Sequence, residues 1–139
     1  MLTMKSKYGL RALMVVYRNK NEMLSIKNIA ERADVPQKFL ESIMLELKHN
    51  GVVDSKRGIF GGYFLSQKPE EIKIGDLIRI FDGPLAPIRC ASVTAYRKCD
   101  DCADEKTCEI RALMLQVRNA IANVLDNTTL DKLSDDMVG

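Results

Sequence analysis

Two short runs rich in β-branched and aromatic residues, Val52-Val53-Asp54-Ser55 and Tyr63-Phe64-Leu65, flank the segment Lys56-Arg57-Gly58-Ile59-Phe60-Gly61-Gly62. Runs of this kind joined through glycines predict a β-hairpin, and here the turn is also basic. The residues upstream constrain the fold further. Ser25 is positioned to N-cap a short helix with Ile26, Ile29, Ala30 and Ala33 on one face. A break at Ala33-Asp34-Val35 follows. Pro36 then opens another helix, where its missing N–H costs nothing. That helix turns Leu40, Ile43, Met44 and Leu47 inward and stops at His49-Asn50-Gly51, with Gly51 supplying the left-handed C-terminal residue.

Helical spacing of Tyr8, Leu10, Leu13, Val16 and Tyr17 predicts an opening helix over residues 4–17 that ends at 19–21. Ile74, Leu77, Ile78 and Phe81 mark a further helix closed by Asp82-Gly83-Pro84. Residues 85–107 are polar and irregular. A long helix over residues 108–125 carries Ile110, Leu113, Met114, Val117, Ile121, Val124 and Leu125. A last short helix is expected after Thr128-Thr129, with Leu130, Leu133 and Met137 inward. The whole is mainly α with a small β-hairpin. Two short helices joined by a tight turn and followed by a basic hairpin give the order of a winged helix-turn-helix, here with a long C-terminal helix added.

In such a fold the second helix can enter the major groove and present its N-terminal residues to base edges. Those residues are Gln37, Lys38, Glu41 and Ser42. Lys38 can donate to guanine or phosphate, Gln37 can pair with adenine, and Glu41 can only accept, for instance from cytosine N4. The wing offers Lys56, Arg57 and Gly58, where a bare backbone can approach DNA and an arginine suits a narrow minor groove. Winged helices also serve as protein-interaction modules, so the fold alone favours DNA only modestly. Charge adds to it. Residues 1–66 hold 11 Lys/Arg against 6 Asp/Glu, a balance of +5, and residues 67–139 hold 10 against 13, a balance of −3. A basic half suggests a polyanionic partner.

The chain has 139 residues, 46% hydrophobic and 29% charged, which is one domain's worth of ordinary globular composition. No apolar run approaches the roughly 18 residues of a membrane span, and no signal peptide precedes the first helix, so the expectation is a cytoplasmic protein. All four cysteines fall within residues 90–108, as Cys90-x8-Cys99-x2-Cys102-x5-Cys108. In a reducing compartment such clustering points to metal binding or redox chemistry. No nucleophile–base motif is present, and the one histidine, His49, lacks a catalytic context. The chain is not expected to be an enzyme.

The stretches Ser25-x3-Ile29-Ala30-Glu31, Phe39-Leu40-Glu41-x-Ile43, Gly51-Val52-Val53 and Arg57-Gly58-x2-Gly61-Gly62-Tyr63-x-Leu65 resemble the IscR/NsrR/CymR group of bacterial regulators, the Rrf-two family. Leu2-Thr3, Tyr8, Leu10-Arg11, Gly75-Asp76, the cysteine loop and Thr129-Leu130 extend the resemblance over nearly the whole chain. It implies a homodimeric winged-helix transcription factor that binds double-stranded DNA. Many members carry an iron–sulfur cluster that senses iron, oxygen, nitric oxide or redox state. By resemblance Glu41 is a base-discriminating glutamate, Lys38 a neighbouring contact and Arg57 the wing arginine of the minor groove. Pro36 replaces the serine common at the start of the recognition helix and removes a side-chain cap.

Cluster-binding relatives offer three loop cysteines and a fourth ligand from elsewhere. That ligand is a histidine where this chain has Arg111, or an acidic residue where it has Lys7. Neither can ligate iron. The additional loop cysteine makes an all-cysteine site of Cys90, Cys99, Cys102 and Cys108 possible, the donor set that [2Fe–2S] and [4Fe–4S] clusters require. Cys102-x5-Cys108 matches the family's last interval, so Cys99 is the expendable one if only three ligate. Cys108 at a helix N-terminus gains thiolate character. A cluster-free thiol switch, four-cysteine zinc and inert thiols are the competing readings of the loop, and a small iron–sulfur electron carrier is the competing function. The apolar stripe of the long helix exceeds what one small domain needs to bury, which predicts a C2 dimer. The expected organisation is a DNA-binding domain over 1–83, a cluster loop over 84–107, and a dimerisation helix with a C-terminal helix over 108–139.

Overall fold

A computed structural model describes residues 2–133. Its helices are α1 (Met4–Arg18), α2 (Ile26–Ala33), α3 (Gln37–His49), α4 (Ile74–Asp82) and α5 (Glu109–Leu125), and its strands are β1 (Val53–Lys56) and β2 (Gly62–Leu65). Single 3-10 turns lie at Pro69–Glu71, Arg89–Ala91 and Glu105–Thr107.

Local chemistry explains the starts and stops. Thr3 and Ser25 cap α1 and α2 by accepting the backbone N–H groups of Ser6 and Asn28 at 3.4 and 3.1 Å. Asp34 takes the left-handed conformation with φ of 55°. That ends α2, and Val35 N–H donates to Ala30 O at 3.0 Å to turn the chain into α3. Gly51, with φ of +72°, closes α3 as expected.

Helix α1 packs against α2, α3 and α4. Leu13, Ile29, Leu40, Ile43, Met44, Leu47 and Leu77 fill the shared core. The hairpin pairs Val53 with Leu65 and Lys56 with Gly62. At the Ser55–Tyr63 pair, next to the turn, it is held on the helices from two sides. Tyr63 and Leu24 form a bridge at the approach to α2, and Lys48 Nζ of α3 donates to Ser55 Oγ at 2.8 Å.

The short helix expected after Thr128-Thr129 does not form over the described residues. Thr128 O accepts Ile74 N–H and Leu130 N–H donates to Ile72 O, each at 2.9 Å, so the backbone there is extended against the start of α4. A turn closed on Thr129 O by Lys132 and Leu133 follows. Leu130 is buried and Leu133 packs on the core, as expected, whereas Met137 lies outside the described residues.

Candidate functional site: a basic reading face and a four-thiol cavity

Four residues of α3, Leu40, Ile43, Met44 and Leu47, are buried, which fixes the helix's rotation. Gln37, Lys38, Glu41 and Ser42 are therefore all exposed on its outer surface. Ser42 Oγ donates to Phe39 O at 3.0 Å, so its hydroxyl hydrogen is engaged within the helix. Pro36 gives α3 no side-chain cap, leaving its first-turn N–H groups open to an anion. At the wing Lys56, Arg57 and Gly58 are exposed. Among the described residues Lys38, Lys56 and Arg57 enter no salt bridge. Recognition helix and wing thus present uncompensated cations from one domain, with the Lys48–Ser55 hydrogen bond linking the two elements.

The cysteines sit elsewhere. Cys90 lies in the Arg89–Ala91 turn and is buried, Cys99 is exposed, and Cys102 and Cys108 are half-buried. All four line one cavity of about 480 Å³, together with Asp101 and Arg111. Cys99 and Cys90 are in contact, Sγ to Sγ 3.8 Å. The hydrogen bond between them is the main cause that pushes the Cys99 thiol's pKa up, with the negative charge of Asp101 adding to it. Cys102 N–H donates to Cys99 O at 3.2 Å, a tight turn that brings the two side by side. Cys108 is the N-cap of α5, its Sγ accepting Arg111 N–H at 3.4 Å.

Arg111 has a role that its sequence position did not suggest. Its Nε donates to Cys90 O at 3.0 Å, bracing the first cysteine turn against the start of α5. The one available signal was its place three residues after Cys108, on the same face of the helix. His49 ends α3 and Lys7 is exposed on α1; neither lines the cavity.

The cavity suits an iron–sulfur cluster. Its donors are four soft sulfurs, and the guanidinium on its wall offsets the negative charge of thiolates. Among the described residues no three His, Cys, Asp or Glu side chains are gathered closely enough to hold one ion.

A helix-turn-helix with a basic hairpin wing and an exposed recognition helix defines a winged-helix, DNA-binding transcription regulator, not an enzyme. No helix among the described residues is long and apolar enough to cross a membrane. The chain belongs to the Rrf2 family, whose model, described as an iron-dependent transcriptional regulator, matches residues 2–136. It is 42% identical over 137 residues to an rrf2-like HTH-type transcriptional regulator of Rhodobacter capsulatus, covering 96% of this chain and 91% of that one. Among solved structures it is similar to CymR, the global cysteine regulator of B. subtilis, with a TM-score of 0.78, 31% identity and coverage of 96% and 95%. T. potens IscR gives a TM-score of 0.77 at 28% identity, covering 99% of this chain and 88% of that one.

Proposed function

We propose that this regulator works in the cytoplasm as a homodimer whose affinity for its operator depends on an iron–sulfur cluster held by Cys90, Cys99, Cys102 and Cys108. The observation that carries the reading is the convergence of all four cysteines on one cavity at the N-terminus of α5. When bound, the cluster supplies a group whose charge and integrity respond to iron and oxidants. The protein's own residues do the rest. Arg111 ties the Cys90 turn to α5, and Arg79 ties α5 to α4, so a change in the loop reaches the DNA-binding unit through defined contacts.

Residues 1–83 form the DNA-binding unit in this reading, 84–107 the cluster loop and 108–139 the dimerisation part. Ile110, Leu113, Val117 and Val124 recur at i, i+3, i+7 and i+14, and all are exposed on one side of α5. A second copy covering this stripe gives a C2 pair. Its two recognition helices read half-sites roughly 34 Å apart, with Gln37, Lys38, Glu41 and Ser42 at the bases and Lys56, Arg57 and Gly58 at the wing. Cluster loading then sets the angle between subunits, and coupling equals the difference in DNA affinity between loaded and empty states.

The test is anaerobic purification followed by an absorption spectrum and iron and sulfide analysis. A visible absorption band with stoichiometric iron and sulfide supports the reading; colourless, iron-free protein that binds DNA overturns it. One observation favours a second reading. The 3.8 Å contact between Cys90 and Cys99 is the approach a disulfide needs, so iron-free protein whose DNA affinity responds to oxidant and reductant would be a cluster-free thiol switch.

A further inference from the structure

The wing ends in two side chains that the domain's own packing does not use. Ile59 and Phe60 are 96% and 92% exposed, whereas no other large apolar side chain among the described residues exceeds 68%. The turn that holds them has a defined shape. Gly61 N–H donates to Gly58 O at 3.0 Å. Gly58 has a φ of +110°, and a Cβ on Gly61 would lie 2.1 Å from Lys56 O. Glycines therefore bracket the apolar pair on both sides and fix how it is presented. Lys56 and Arg57, both exposed, precede it directly. Cations beside a projecting apolar tip complement a partner with an anionic surface over an apolar interior. Duplex DNA is such a partner, since phosphates lie outside its stacked bases. The hairpin is tied to the recognition helix by Lys48 and Ser55, one residue pair below the turn, so the tip travels with that helix.

We infer that Ile59 and Phe60 form an apolar wedge that enters the minor groove beside Arg57, partly unstacks one base step and bends the duplex, while Lys56 holds a flanking phosphate. The inference rests on the DNA-binding reading and deepens it. The step beneath each wing becomes a determinant of site choice although no hydrogen bond reads it. Pyrimidine–purine steps are the cheapest to unstack, so they are favoured there.

The experiment uses the full chain and a duplex that the wild-type protein selects from a random-sequence pool. Ile59→Ser combined with Phe60→Ser removes the wedge at exposed positions, and a thermal melt checks that the variant folds. The double variant is expected to bind about tenfold more weakly at fixed salt. End-to-end energy transfer on the duplex should report a smaller bend. The slope of log affinity against log salt should not change, because apolar side chains release no counterions. Lys56→Ala, by contrast, lowers that slope by about 1 per subunit. A 2-aminopurine placed at the wing step should brighten with wild type and stay quenched with the double variant. Phe60→Leu, which keeps an apolar tip, should retain most of the affinity. Wild-type affinity, bend and 2-aminopurine signal in the double variant overturn the wedge alone. A smaller hydrodynamic size in that variant with DNA contacts unchanged also overturns it, and assigns the tip to a second copy of the chain. Failure of the wild-type protein to select any duplex overturns the wedge together with the DNA-binding reading.

Discussion

Arg79 on α4 and Asp126 at the end of α5 form a bidentate ion pair, Nη1 to Oδ1 and Nη2 to Oδ2, both 2.8 Å. It is a polar link between the unit that carries the recognition helix and α5, the helix that Cys108 caps. Planar guanidinium against planar carboxylate fixes orientation as well as distance. A second polar lock lies in the same last turn of α4. Asp82 accepts the buried Ser6 hydroxyl at 2.6 Å, the Thr3 N–H at 3.0 Å and the Thr3 hydroxyl, fastening the start of α1 to α4 just before the cysteine segment departs.

Replacing Arg79 with Ala should lower stability by about 1 kcal/mol, the upper end for a part-exposed pair. The loss should depend on pH. The hydrogen bond from Arg79 holds the Asp126 carboxyl below the usual carboxylate range, outweighing the opposing effect of burial. At Asp82 burial pushes the pKa up, but the hydrogen bonds from Ser6 and Thr3 prevail and it too is lowered. Both groups bind fewer protons folded than unfolded, so their contribution is complete above about pH 4 and is lost as pH falls through the folded-state values. Thermal melts of wild type and Arg79→Ala should differ at pH 7 and converge toward pH 2.

Glu41 is exposed on α3 beside Lys38 and has no favourable contact to offer phosphate. Glu41→Ala should relax sequence preference and leave or raise non-specific affinity, because a repulsive charge near the backbone is lost. Selection from a random duplex pool with both proteins checks this. Loss of all binding with unchanged preference would count against base discrimination.

The stripe on α5 should fail as an interface when a charge is placed in it. Leu113→Glu or Val117→Glu should convert dimer to monomer in sedimentation while leaving the helical circular dichroism signal intact, since both side chains are exposed within the single chain. Burying one unpaired carboxylate per subunit is costly enough to prevent association. Operator affinity should fall with the dimer.

Each of the four cysteines, changed singly to Ser under anaerobic conditions, should lower iron and sulfide content or alter the spectrum, because oxygen is a poorer match than soft sulfur. Wild-type cluster content in Cys99→Ser would end the four-cysteine reading and make Cys90, Cys102 and Cys108 a three-thiol set.

The wing and the recognition helix were legible because their signals are local. Glycines that permit a tight turn, a capping serine, a proline at a helix start and apolar residues at helical spacing each act within a few residues, and the elements form where those signals fall. The exposed face of α3 followed from the same logic, since burial of Leu40, Ile43, Met44 and Leu47 leaves Gln37, Lys38 and Glu41 outside. Spacing along the chain could not decide whether four cysteines over nineteen residues share one cavity, because the irregular loop has no period from which to infer a direction. Only the folded chain brings Cys90 to Cys99 and turns Arg111 back onto the Cys90 carbonyl. The expected final helix failed for a related reason. Residues 130–133 carry a helical apolar pattern, but Thr128 O and Leu130 N–H are claimed by Ile74 and Ile72, more than fifty residues earlier in the chain. Local propensity sets what a segment prefers, and long-range backbone hydrogen bonds that burial of Leu130 makes unavoidable set what it adopts.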